Sequence, residues 1–152
     1  MNGAEALVDT LVRSDVELCL ANPGTSEMQL VSAIDRVPGM RPVLALFEGV
    51  VTGAADGYAR LAGKPACTLL HLGPGLANGV ANIHNAQKAF SPMINVVGDH
   101  ATYHRRYDTP LNADLEGIAR PVSHWLEAGR TPAALAALGA DAVAAAGRVP
   151  GR

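Results

Sequence analysis

Four apolar runs that do not alternate, each followed by a stretch of helical periodicity, leave this chain few folds to choose from. The runs are Val16 to Ala21, Val43 to Phe47, Ala66 to Leu72 and Pro92 to Val97. A strand with one wet face alternates apolar and polar residues. A continuous apolar run belongs to a strand covered on both faces, as in parallel sheets. Alternation of such strands with helices predicts a three-layer α/β/α domain around a mostly parallel sheet. Charged residues make up 17% and hydrophobic ones 49% of the 152 residues. That charge is too sparse for a disordered chain, and the length suits one domain spanning 1–152 with a full core.

Turn chemistry sets the boundaries. Asn2 or Gly3 is expected to cap a first helix. Asn22-Pro23-Gly24-Thr25 stops the first strand, and Ser26 is expected to cap the second helix. Gly73-Pro74-Gly75 separates the third strand from a helix over 76–90, and Gly98-Asp99-His100 closes the fourth. Periodicity fails over 101–111, which predicts a long loop. A short helix and an irregular strand near Val122 to Leu126 are expected next. Thr131-Pro132 opens an Ala-rich helix to about Ala146. Gly147 to Arg152 reads as a turn where a doubly wound domain usually returns a strand. The chain is therefore expected to be a piece of a longer protein that lacks the domain's last strand.

If the sheet is parallel, four strand ends fall on one edge, where open α/β sheets bind ligands. They carry Asn22-Pro23-Gly24-Thr25, Glu48, His71 with its glycine loop, and Asp99. Glu48 follows an apolar run and opens a small-residue helix. Apolar surroundings favour the protonated form of a carboxyl, which lets it share a proton. The bland alternative is an acid attracted by a helix N-terminus. His71 is a candidate because imidazole titrates near neutrality; a satisfied structural histidine is the alternative. Thr25 reads by default as a turn or capping hydroxyl. The run from Gly73 to Gly79 is one residue too long for a dinucleotide fingerprint and follows the wrong strand. There is no nucleophile elbow and no phosphate-binding P-loop.

Other classes recede. A net charge of −2 gives no general attraction to nucleic acid or acidic membranes. No apolar run approaches the roughly 20 residues of a membrane span. No metal-ligand spacing is present, so no metal ligand is assigned. Cys19 and Cys67 fall in apolar runs and are expected to be buried free thiols, which points to a reducing, cytoplasmic setting.

The chain resembles the pyrimidine-binding domain of thiamine-diphosphate-dependent enzymes, most closely the acetolactate synthase and benzoylformate decarboxylase group. The residues that carry the likeness are Asn22 to Glu27, Phe47-Glu48-Gly49, Ala54 to Arg60, Leu72 to Gly79, and Ser91-Pro92 before Val96-Val97-Gly98. They cover nearly the whole chain in order. The resemblance implies thiamine diphosphate as cofactor and a small 2-oxo acid as substrate, decarboxylated or ligated. It implies that Glu48 hydrogen-bonds N1′ of the aminopyrimidine, favouring the imino tautomer whose 4′ nitrogen deprotonates the thiazolium C2. It assigns Asn22, Pro23, Gly24, Gly73 and Asn78 to the cofactor side. His71 falls where the decarboxylase branch has a histidine near the reacting carbon. Thr25 falls where that branch has a serine, from which this chain departs.

The family's Gly-Asp-Gly and Asn-Asn motifs, which hold Mg²⁺ and the diphosphate, are not in this sequence. The resemblance therefore implies that Mg²⁺ ligands come from a diphosphate-binding domain of the same or another chain, and that this chain alone is close to inactive. It implies a homo-oligomer, dimer or tetramer, formed through this domain, and it leaves open whether FAD binds in a middle domain. Two other readings stay open: a natural stand-alone subunit of a split 2-oxo acid decarboxylase, and a nucleotide-binding module.

Overall fold

The first helix shows local chemistry setting an element's start. In the computed structural model, which describes residues 1–148, α1 (Gly3–Arg13) is capped by Asn2. The Asn2 side chain accepts from the Glu5 backbone N–H, and the Glu5 carboxylate accepts from the Asn2 N–H. Two otherwise free amide groups are thus satisfied reciprocally. There follow β1 (Leu18–Asn22), α2 (Met28–Arg36), β2 (Arg41–Leu44), α3 (Glu48–Ala62), β3 (Ala66–Leu70), α4 (Leu72–Ala89), β4 (Met93–Val97), α5 (Leu115–Ala119) and α6 (Leu135–Ala146). Short 3-10 turns lie at Thr25–Glu27, Arg120–Val122 and Pro132–Ala134.

The sheet order is β2-β1-β3-β4, with every pair parallel. Strand periodicity sends alternate residues to opposite faces. Cys19 and Ala21 of β1 therefore join Cys67 and Leu69 of β3 under α1, α2 and α6. Leu18, Leu20, Ala66 and Leu70 pack under α3, α4 and α5. This is the expected α/β/α sandwich. The two cysteines are register partners on β1 and β3 and are buried as free thiols. A hydrogen bond with Cys19, together with burial, pushes the Cys67 thiol well up, so it is a packing group and not a nucleophile.

Four local expectations are corrected. The second strand is Arg41–Leu44, not Val43 to Phe47, and all four of its residues are exposed. It is an edge strand, where Pro42 costs no inner ladder bond and Arg41 discourages pairing. Ser26 does not cap α2; it sits inside the 3-10 turn, and the Glu27 carboxylate accepts from the Gly24 N–H. Gly73-Pro74-Gly75 does not break the chain before a helix but forms its first turn, where proline's missing N–H has no partner to lose. Val122 closes a 3-10 turn, and no strand follows it among the described residues. The expected tail turn falls partly on residues 149–152, outside the described residues.

Helices α3 and α4 approach closely because Gly79 faces Thr52. The Thr52 hydroxyl, wholly buried, lies 3.1 Å from both the Glu48 and the Gly79 carbonyl oxygens. Thr52→Val keeps the volume and removes this link. It is expected to cost about 1 kcal/mol and to lower Tm by about 2–4 °C in a domain of this size. An unchanged urea midpoint would show that the intrahelical bonds of those carbonyls suffice.

Candidate functional site

The chain runs from β1 outward to β2, then back across to β3. The connections thus diverge between β1 and β3, and the crevice of an open α/β sheet lies beyond the carboxyl ends of such strands. Asn22 ends β1 there and His71 follows β3. Asn22, Pro23 and Gly24 are half-buried at this corner, and Thr25, the first residue of the 3-10 turn, is exposed.

Glu48 is the first residue of α3 and is 7% exposed. Asn78 of α4 donates its amide to Glu48 Oε2 at 3.0 Å. The other oxygen, Oε1, looks onto Gly75. A methyl group on Gly75 would lie 2.8 Å from Oε1 and 3.2 Å from the His71 Cβ. Glu48 and His71 therefore flank one glycine of the α4 first turn, and the space that its missing side chain leaves is a cradle beside a buried carboxyl. Gly73, two residues earlier, meets Ala113 and the Leu111 carbonyl of the long loop instead.

His71 is oriented from below. Its Nδ1 lies 2.7 Å from Glu27 Oε2, and that oxygen also accepts from the Gly24 N–H at 2.8 Å. The Glu27 side chain has no exposed surface, and its Oε1 has no hydrogen-bond partner among the described residues. The His71 ring lies against the Cα of Gly24, and Glu27 Oε1 against that of Gly98; a Cβ at either glycine would overlap these groups. Gly24 is extended at φ −111°, so it is required here for space and not for conformation. Leu72, buried directly after His71, has φ +48°. A bulky residue in the left-handed region costs on the order of 1–3 kcal/mol, and such strain gathers at functional sites.

The edge thus brings together Glu48, Asn78, His71 and Gly24. The sequence marks Gly75 and Gly98 as members of strand-end motifs without a role of their own, and it gives Glu27 no place in the site. Glu27 was visible only as the acid of a polar helix start, and nothing in its neighbours' hydropathy marks it as buried. Among the described residues, no group of three or more His, Cys, Asp and Glu could hold a metal ion, and no helix is long and apolar enough to cross a membrane.

Known proteins resemble this chain in sequence and in fold. The family model described as thiamine pyrophosphate enzyme, N-terminal TPP binding domain, matches residues 1–124. A protein named "Putative acetolactate synthase large subunit IlvX" from Mycobacterium tuberculosis is 63% identical over 145 residues, 95% of this chain and 28% of that protein. Benzoylformate decarboxylase of Pseudomonas aeruginosa is 31% identical over 121 residues, 79% of this chain and 22% of the relative. The crystal structure of benzoylformate decarboxylase from Polynucleobacter necessarius superposes with a TM-score of 0.90 at 25% identity, covering 98% of this chain and 28% of that one. The chain spans less than a third of the length of these proteins.

Proposed function

The chain belongs to the thiamine pyrophosphate enzymes as their N-terminal TPP-binding domain, and on that premise we propose that it presents Glu48 to the aminopyrimidine of thiamine diphosphate in an enzyme acting on 2-oxo acids. The observation that carries this is a carboxyl 7% exposed, held by Asn78 on one oxygen and left facing a side-chain-free cradle at Gly75 on the other. The donor set fits a flat, hydrogen-bonding heterocycle. The bound cofactor supplies the carbanion-stabilising chemistry.

The chain's own residues hold, orient and move protons. Glu48 shares a proton at its carboxyl with a ring nitrogen, a task that favours an apolar pocket. Asn78 fixes Oε2, so the remaining oxygen has one direction to offer. Asn22, Pro23 and Gly24 line the cofactor side, and Gly73 seats the first turn of α4, on which that side is built, against the long loop. His71 and Thr25 face the 2-oxo acid, with His71 moving a proton at its ring nitrogen. Mg²⁺ and the diphosphate are held by a second domain, of the same or another chain, so this chain by itself is close to inactive.

The test is titration of the chain with thiamine diphosphate and, separately, with NAD, followed by backbone amide shifts. Shifts at Glu48, Gly75 and Asn78 with the first and none with the second are expected. A response to NAD at the first turn of α4, with none to thiamine diphosphate, would replace this reading with a nucleotide-binding one.

A second outcome concerns assembly. Leu44, Leu46, Phe47 and Val50 are 68%, 90%, 48% and 57% exposed beside Glu48. Apolar residues so clustered mark contact surfaces. Light scattering is expected to give a mass at least twice that of one chain, falling on dilution. A single-chain mass at every concentration would remove this face as an interface.

A further inference from the structure

A histidine that moves protons needs to carry its own proton on a defined nitrogen, and a buried carboxylate beside His71 decides which. We infer that Glu27 is a positioning residue that fixes His71 as its Nδ1–H tautomer, leaving Nε2 as the nitrogen with a free lone pair; this rests on the role proposed above for His71. An ionised carboxylate only accepts hydrogen bonds. At 2.7 Å, the contact between Glu27 Oε2 and His71 Nδ1 is attractive when the proton sits on Nδ1, and charge assistance makes it short. The tautomer of an imidazole follows from the bond its other nitrogen makes.

Glu27 cannot drift away from this task. The Gly24 N–H holds the same Oε2 at 2.8 Å. Its side chain is wholly buried. Gly98 leaves room for Oε1, which has no hydrogen-bond partner among the described residues. Two glycines therefore serve the pair, Gly24 under the imidazole and Gly98 under the carboxylate. Set in this way, Nε2 can accept a proton from a reacting group while Nδ1–H stays on Glu27. The same nitrogen later returns that proton, and no other group is consumed.

The experiment uses the chain with ¹⁵N-labelled histidine. Long-range proton–nitrogen correlation spectra are recorded at about pH 8.5, above the ordinary imidazole range. His71 is expected to show a protonated Nδ1 and a bare Nε2, favoured roughly tenfold or more by the charged bond. Glu27→Ala removes the acceptor and is expected to shift the majority to Nε2–H. Gly98→Ala keeps the carboxylate but displaces it, and is expected to move the ratio the same way. Should Glu27→Ala not fold, the wild-type spectrum and Gly98→Ala decide. A wild-type ring protonated mainly on Nε2 overturns the inference, as does an unchanged ratio in every variant with a dispersed amide spectrum. Activity of a His71→Phe enzyme bears on the role of His71 itself and leaves this measurement untouched.

Discussion

Glu48→Gln is expected to slow exchange of the thiamine C2 proton in the assembled enzyme by about two to four orders of magnitude, the usual worth of a positioned acid–base group. The amide has nearly the shape of the carboxyl and can still accept from Asn78, so the bond now 3.0 Å long survives in form. What it loses is the ability to hold or release a proton. The rival account makes Glu48 a charge attracted by the N-terminus of α3, where it is the first residue. That account predicts a different pattern: a loss of about 0.3–1 kcal/mol in stability with exchange unaffected. The two effects are read separately, by proton–deuterium exchange at C2 and by chemical denaturation. A variant that melts slightly earlier and exchanges normally would remove Glu48 from the mechanism and leave it as a helix-end charge.

The parts of the fold that were legible in the sequence are those where burial is symmetric. β1 and β3 are inner strands, so Cys19-Leu20-Ala21 and Ala66 to Leu70 are apolar whichever face they address, and their runs stand out. β2 misled because Val43, Leu44, Leu46 and Phe47 look like core yet are exposed at the sheet edge. Hydropathy cannot separate a strand buried by its own domain from one whose apolar residues face outward. Arg41-Pro42 was the available signal for an edge. At the site, Glu48 was legible because an acid directly after an apolar run is uncommon. Glu27 was not, because Ser26-Glu27 reads as an ordinary helix start, and its burial depends on Gly98, seventy-one residues later in the chain. The glycine loop was legible as a motif but not in detail. Gly73 and Gly75 flank one proline, and only the first turn of α4 turns Gly75 toward Glu48 and Gly73 toward Ala113.

That distinction sets up the second large effect, in which stability and function part company. Gly75→Ala places a methyl 2.8 Å from Glu48 Oε1 and 3.2 Å from the His71 Cβ. Both distances are tighter than ordinary contact, and something must move. The end of the Glu48 side chain can swing aside, and the His71 Cβ, tied to the backbone, has to give by only a few tenths of an ångström, so the fold loses little. Against that small loss stands the helix gain of alanine over glycine, at most about 1 kcal/mol in an interior position and less in a first turn. The net expectation for the melting midpoint is no change or a slight rise. The carboxyl, however, is pushed out of the cradle by several tenths of an ångström. A displacement of about 1 Å in a catalytic group costs on the order of a hundredfold in rate, and C2-proton exchange is expected to fall by about ten- to a hundredfold. Gly73→Ala is the control of opposite character. Its methyl would overlap Ala113 of the long loop, so it is expected to lower stability while leaving the Glu48 carboxyl where it is. Normal exchange in Gly75→Ala, with the fold intact, would mean that Oε1 does not need the space beside Gly75, and the cradle would lose its place in the proposed site.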